Sequence, residues 1–407
     1  MNAKTHPTRG LPHLTREVPP VNGRVRESIE DFRVEEVPLY APSGEGEHFL
    51  FEIEKRGLST DEAARRIGRA LSLAPGDVAY AGRKDARAVT RQWMSVRLAD
   101  VGRVRALEWP ELRVLSAERH RNKLKLGHLA GNRFKIRVRG ADADAGARAR
   151  AVLDALASRG VPNWFGSQRF GVRGDSHLAG RALVKGDAKD FFSILLGGPT
   201  DADPPAAREA RVAFDAGDLA AAMRAWPRSC PNERRALEAL GRGTPPRRAV
   251  DRWPRRLRFL YVCAYQSELF NRVLAQRLED MRRVEIGDIA MKHANGACFP
   301  VEDVGAASPR AAAFEISPTG PMFGSKMLAA SGRPGELERE VLAGENLPLR
   351  AFASRMAMKA RGERRALRVP LSEASANTDD DGLVLSFTLP RGAYATAVLA
   401  EVLKQPP

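Results

Sequence analysis

Tyr80-Ala-Gly-Arg-Lys-Asp-Ala-Arg-Ala-Val-Thr-Arg-Gln-Trp93 places one carboxylate, Asp85, in a glycine-containing turn among Arg83, Lys84, Arg87 and Arg91. Cations at that density favour the anion and draw phosphates toward it, with Lys84 and Arg87 as candidate contacts. An Asp that caps a helix or pairs on the surface would read the same way, so the segment alone leaves both meanings open. Before it, Val78 to Tyr80 reads as a short strand that turns at Gly82; after it, Met94, Val96 and Leu98 alternate as another.

Working outward, Phe49, Phe51 and Ile53 alternate with Glu52 and Glu54, the period of a half-buried strand. Ser59 and Thr60 can cap a helix that opens with Asp61 and Glu62 and lines one face with Ala63, Ile67 and Leu71. Phe134, Ile136 and Val138 alternate with Arg133, Lys135, Arg137 and Arg139, and a helix around Ala147 to Ser158 ends at Gly160, where a left-handed cap is easy. Residues 1–30 form a polar arm whose last part is expected to pair with the first domain. Tyr265 to Met281 has helical spacing. Leu383, Leu385, Phe387 and Leu389 read as a strand, followed by a final amphipathic helix through Val398, Leu399, Val402 and Leu403. Near residue 188 the texture changes to Asp-, Ala- and Pro-rich loops and Arg-rich helices, including the Pro- and Arg-dense run Thr244 to Arg258, and a domain boundary is expected there.

At 407 residues the chain exceeds what one core usually organises, so two domains are expected. The excess of 66 Lys and Arg over 50 Asp and Glu leaves +16, which points to a polyanionic partner with nucleic acid first, although codon bias can also enrich arginine. Cys230, Cys263 and Cys298 are odd in number and far apart, which fits a reducing cytoplasm and neither a disulfide framework nor a paired-cysteine zinc site. The N-terminus has no signal-peptide core, and the longest apolar run, Phe259 to Tyr265, is too short for a membrane span. The seven histidines show no metal-ligand spacing, Gly44 to Phe49 lacks the third glycine of a dinucleotide loop, and Gly320 to Met327 lacks the spacing of a phosphate-binding loop. An enzyme of this sequence is expected to need no cofactor.

Two further segments carry candidate chemistry. Val161-Pro-Asn-Trp-Phe-Gly-Ser-Gln-Arg-Phe-Gly171 gathers aromatic rings, the amides of Asn163 and Gln168, and Arg169 on one loop. Rings there can stack on an extruded base and the amides can read its edge or hold a carboxylate; an aromatic core plug is an equal alternative. From Arg119 to Arg139 run Arg119, Arg121, Lys123, Lys125, Arg133, Lys135, Arg137 and Arg139 without one acidic residue. Such a track suits a phosphate backbone, and a solvated basic strand is the plainer reading.

In order along the chain, Glu30-Asp-Phe-Arg-Val-Glu-Glu36, Gly44-Glu-Gly-Glu-His48, Ala81 to Asp85, Ala88 to Trp93, Lys123 to Gly127, Gly131-Asn132, Pro162 to Gly171, Gln266-Ser-Glu-Leu-Phe-Asn271, Leu389 to Gly392 and Tyr394-Ala-Thr396 resemble the TruD family of tRNA pseudouridine synthases. The resemblance implies an α+β fold, a pseudouridine-synthase-type mixed sheet flanked by helices with a second, family-specific α/β domain inserted. Residues 1–188 and 365–407 would then form the catalytic domain and 189–364 the insertion. It implies cofactor-independent conversion of uridine to pseudouridine in tRNA, at uridine 13 of the D-arm, in the cytoplasm, with no membrane and no obligate protein partner.

By position, Asp85 is the implied catalytic carboxylate, Phe165 stacks on the target base and Asn163 helps hold Asp85. Arg26 falls where the family commonly has a Lys that pairs with the Asp, an exchange that keeps the charge and alters donor geometry. Lys84, Arg87, Arg119, Arg121, Lys123, Arg133, Lys135, Gln168 and Arg169 are the expected RNA contacts. A relative that binds RNA without catalysis is the alternative, and it would be expected to have lost Asp85 or the Asn163 and Phe165 loop.

Overall fold

The computed structural model describes residues 6–97 and 100–406. Two units emerge from the packing: one formed by residues 15–161 together with 369–405, the other by 162–368 with the described residues up to Leu14.

The first unit is built on a ten-stranded sheet of β1 (Arg24–Val25), β2 (Phe32–Pro38), β3 (His48–Arg56), β4 (Ala79–Tyr80), β5 (Val89–Arg97), β6 (Glu108–Trp109), β7 (Leu112–His120), β8 (Leu129–Arg139), β9 (Ser372–Asp379) and β10 (Gly382–Pro390). The order is β9-β10-β8-β2-β5-β3-β7-β6, with β1 also on β8 and β4 also on β5. Only the β2–β5 pairing is parallel, so the sheet is mixed. Leu98, expected to continue β5, lies outside the described residues.

β3 departs from the half-buried expectation. Phe49, Phe51 and Ile53 pack on Ala63, Ile67 and Leu71 of the helix Thr60–Ala70 and its end. The opposite face is covered as well, because Leu50 joins Ala81, Leu124 and Leu129 in a second cluster. Leu124 is brought there by the loop after β7, whose backbone N–H donates to Ser95 Oγ at 2.9 Å. Burying each such side chain contributes about 1.5–3 kcal/mol, so a strand covered on both faces is a firm base for the turn that follows the helix. Ser59 caps that helix, its Oγ accepting from Glu62 N at 3.2 Å.

The last helix, Ala395–Leu403, is not amphipathic; Val398, Ala400, Glu401 and Val402 are all buried. The N-terminal arm covers its outer side. Thr15 donates to Glu401 from its backbone N–H at 3.0 Å and from its hydroxyl at 2.7 Å, and Val21 N donates to Val402 O at 2.9 Å. The helix Ala145–Arg159 ends at Gly160 with φ 91° and ψ 155°, a positive φ that favours glycine but not the left-handed helical cap expected.

In the second unit the long helix runs Arg255–Arg277, starting ten residues before the expected Tyr265 because Pro254 supplies its N-terminal boundary. An antiparallel sheet in the order Cys298–Pro300, Ile289–Lys292, Ile316–Met322, Glu363–Ala366 accompanies it. The helix Ser176–Lys185 crosses the long helix so closely that a Cβ on Gly180 would stand 2.0 Å from Tyr261 O. That contact ties the residues just before 188 to the second unit, so the packing changes units at 162 rather than at the change of texture. Among the described residues no helix is long and apolar enough to cross a membrane, and the three cysteines are free.

Candidate active site

Asp85 sits in the loop between β4 and β5 of the first unit, and three tethers hold that loop. Lys84 N donates to the buried Thr60 hydroxyl at 2.8 Å, Lys84 Nζ pairs with the buried Glu36 carboxylate at 2.5 Å, and Lys55 Nζ donates to the Asp85 carbonyl at 3.0 Å. The Asp85 side chain itself stays about a quarter exposed. One oxygen pairs with the Arg26 guanidinium at 2.7 Å and the other accepts from Arg87 N at 2.9 Å. Arg26 is fixed in turn: its guanidinium lies 4.1 Å from the centroid of the Phe32 ring, and its φ of 65° is a backbone strain that the surrounding structure must hold. A carboxylate that meets one cation and one amide, with solvent on its remaining side, is an anion poised for a ligand.

Lys55 is fully buried and donates also to Leu58 O at 2.5 Å. Burial pushes its pKa down to about 8; the charge of Asp85 raises it and that of Lys84 lowers it further. Glu36 is pushed up by burial, against the opposing pull of Lys84. Lys84, expected as a phosphate contact, is therefore a buried structural cation, because its ammonium is consumed by Glu36. Arg87 is exposed. A signal for Lys55 was present in the sequence: it continues the Phe49, Phe51, Ile53 parity, a lysine on the apolar face of a strand.

In the second unit Asn163, Trp164 and Phe165 are buried. Asn163 Nδ2 donates to Ala366 O at 2.8 Å and its Oδ1 accepts from Arg365 at 2.5 Å. Phe165 is oriented by Asn271, which accepts from its N–H at 3.0 Å and donates to its carbonyl at 2.9 Å. The Phe165 ring stands edge-on to Phe270 at 5.5 Å, with the guanidinium groups of Arg365 and Arg169 at 4.2 Å and 5.2 Å from its centroid. Arg169 also donates to Ser267 Oγ at 2.9 Å, and Gln168 is exposed on the turn Ser167–Phe170. Arg365 was not singled out from sequence because its partners lie about two hundred residues away, and nothing local marks it.

The Arg119 to Arg139 track does not survive folding as one surface. Arg119 is on β7 and Arg133 on β8, separated by β3, β5 and β2, a distance of about 19 Å at the usual strand spacing. Its members also acquire carboxylates. Arg121 pairs with Glu45, Arg133 with Glu373 at 3.1 Å and Glu35 at 3.5 Å, Arg137 with Asp379, and Arg139 with the buried Asp31 at 2.8 Å. Arg119 donates to Gly46 O at 3.0 Å and Lys123 to Gly76 O at 3.2 Å, while Lys135 is exposed. Partners far away along the chain, on β2, β9, the turn at Asp31 and the loop at Glu45, account for the difference and are invisible in a linear reading.

Residues 9–402 match the family model described as tRNA pseudouridine synthase D (TruD). The chain is 51% identical over 393 residues to the tRNA pseudouridine synthase D of Geobacter metallireducens, covering 96% of this chain and 97% of that one. It is 40% identical to that of Anaeromyxobacter dehalogenans strain 2CP-1, over 97% of this chain and 96% of that one. Among solved structures it resembles a putative tRNA pseudouridine synthase D (TruD) from Methanosarcina mazei, with a TM-score of 0.86, 30% identity, and coverage of 97% of this chain and 96% of that one.

Proposed function

The chain belongs to the TruD family, and from that premise we propose that it isomerises uridine in tRNA to pseudouridine with Asp85 as the reacting carboxylate. The N-glycosidic bond breaks, the uracil turns, and the ring is rejoined to the ribose through carbon five, with no redox change and no cofactor. The observation that carries the assignment of Asp85 is its geometry: a quarter-exposed carboxylate held by Arg26 and by the Arg87 amide, on a loop anchored through Thr60, Glu36 and Lys55. An anionic oxygen with a fixed position and an open side is what chemistry on an extruded nucleotide requires.

Arg26 is the positioning cation and holds the Asp85 anion in place. Phe165, held in orientation by Asn271, is the ring proposed to meet the extruded base, and Asn163 orders Arg365 beside it. Arg87, Arg119, Lys123, Lys135, Gln168 and Arg169 remain proposed RNA contacts, with Arg121 and Arg133 available only in exchange for their carboxylate partners. The target is uridine 13 of the D-arm and the setting the cytoplasm, with no obligate protein partner.

Incubation with unmodified tRNA followed by mapping of pseudouridine tests the reading. The parent is expected to form pseudouridine at one D-arm position. Asp85→Asn, which keeps shape and removes the anion, should abolish turnover while tRNA affinity changes less than about twofold. Residual turnover near that of the parent, from a clean preparation, would remove Asp85 from the chemistry.

A further inference from the structure

Arg224 to Arg258 contains eleven arginines and no lysine against Glu233, Glu238 and Asp251, half of the net charge of the chain in a short stretch. It folds into the helices Pro231–Gly241 and Pro246–Arg252 and the first turn of Arg255–Arg277. Two of the three carboxylates are already engaged: Glu238 with Arg242 at 2.6 Å, and Asp251 with Arg355 at 3.5 Å and Arg258 at 3.9 Å. Arg235, Arg247, Arg248, Arg252, Arg255 and Arg256 are exposed, and among the described residues none of them has a carboxylate within ion-pair distance. The contrast with β8 is direct, since Arg133, Arg137 and Arg139 each meet a carboxylate. A surplus of arginine arising from composition alone has no reason to be neutralised on one face and left bare on another.

The bare cations also have shape. Arg235 and Arg252 border one concavity of about 270 Å³, with the Arg242–Glu238 pair also on its rim and Ala236, Ala249 and Trp253 in its buried lining. On the next helix Phe259 and Leu260, 55% and 45% exposed, stand one turn after Arg255 and Arg256. At i, i+3 and i, i+4 spacing these side chains are neighbours, so a cation and an apolar surface are presented side by side.

We propose that this surface is a second tRNA contact, remote in sequence from Asp85, in which Arg235 and Arg252 hold a backbone phosphate and Arg255, Arg256 and Phe259 receive the adjoining nucleotide. The proposal rests on tRNA being the substrate. Guanidinium groups match phosphate oxygens two at a time, and exposed cations without partners can bind one without first breaking an ion pair. The exposed ring suits a base or ribose face, which an acidic peptide would not use in the same way.

The test uses the full chain carrying Arg235→Gln with Arg252→Gln, and unmodified tRNA as the probe, titrated over a range of salt. Affinity at low salt should fall roughly tenfold, and the slope of log affinity against log salt should flatten by about one, for the single phosphate that the two arginines share. In steady state the loss should appear as a raised KM rather than a lowered kcat. The pair Arg235→Lys with Arg252→Lys keeps both charges and should keep the slope, which guards against a folding defect in the first variant. An unchanged affinity and slope in the Gln variant, or a Lys pair that behaves like it, overturns the proposal. The two readings separate cleanly: a parent that binds tRNA through this surface yet forms no pseudouridine upholds the surface and overturns the catalytic assignment, whereas an active parent whose binding ignores both substitutions overturns the surface alone.

Discussion

At Asp85 the two carboxylate oxygens have unequal partners, a guanidinium for one and a backbone amide for the other. The guanidinium is itself stacked on Phe32 and carried by a backbone at φ 65°, so its position is set by planarity as much as by charge. Arg26→Lys therefore keeps the charge but loses the stacked plane; turnover should fall about tenfold, and Arg26→Ala should fall about a hundredfold or more. Equal turnover of the Lys variant and the parent would mean that charge alone suffices. Phe165 calls for a different substitution from alanine, because its ring is buried and truncation would cost about 3 to 5 kcal/mol of stability whatever its role. Phe165→Leu retains most of the volume. It should melt close to the parent and turn over about tenfold to a hundredfold more slowly if the ring meets the base. Unimpaired turnover by a stably folded Leu variant would reduce Phe165 to core packing. Asn163 and Phe165 were legible as a site in the sequence; Arg365 and Asn271, which orient them, depend on contacts about one hundred to two hundred residues distant.

Among the elements, β3 and the close helix crossing show where periodicity informs and where it stops. The alternation of Phe49, Phe51 and Ile53 announces a strand, and Ser59 announces the helix after it. It says nothing of Leu124 arriving from a loop to cover the other face, and so β3 reads as half-buried when it is central. Gly180 offers a direct check on the second unit. Any side chain there meets Tyr261 O at 2.0 Å, a backbone atom that cannot step aside. Gly180→Ala should destabilise the protein by about 3 kcal/mol or more and lower the melting temperature, an effect opposite to the usual gain from replacing a helical glycine. A variant that melts at or above the parent would show that the two helices can separate without loss.

For the whole molecule, acid stability depends on histidines that folding keeps neutral. Burial holds His177 down to about 4, with Asp175 pulling the other way, and burial lowers His6, His120 and His293 too. A folded pKa below the unfolded value of about 6.5 means that stability is fully present above that pH and is lost as pH falls toward 4, because the unfolded chain binds the proton first. Glu36, Glu268 and Glu338, raised by burial, act in the opposite sense, so the clean observable is a difference between variants. His177→Gln should lose less stability than the parent between pH 6.5 and 4, by on the order of 2 kcal/mol, measured by denaturant melts across that range. Identical pH slopes would show that His177 is solvated in the folded state. On the same scale, the sequence by itself determined the family, the α+β class, the more regularly patterned strands and helices, and the Asp85 turn, because each is written in local spacing or in short motifs. Only the tertiary structure decided which cations are free. Lys84 is consumed by Glu36 and the β8 arginines by carboxylates from distant parts of the chain, while Arg235, Arg247, Arg248, Arg252, Arg255 and Arg256 are left without one among the described residues. Charge is a property of residues, but its availability depends on what folding brings within a few ångströms, and that distance is not encoded in separation along the chain.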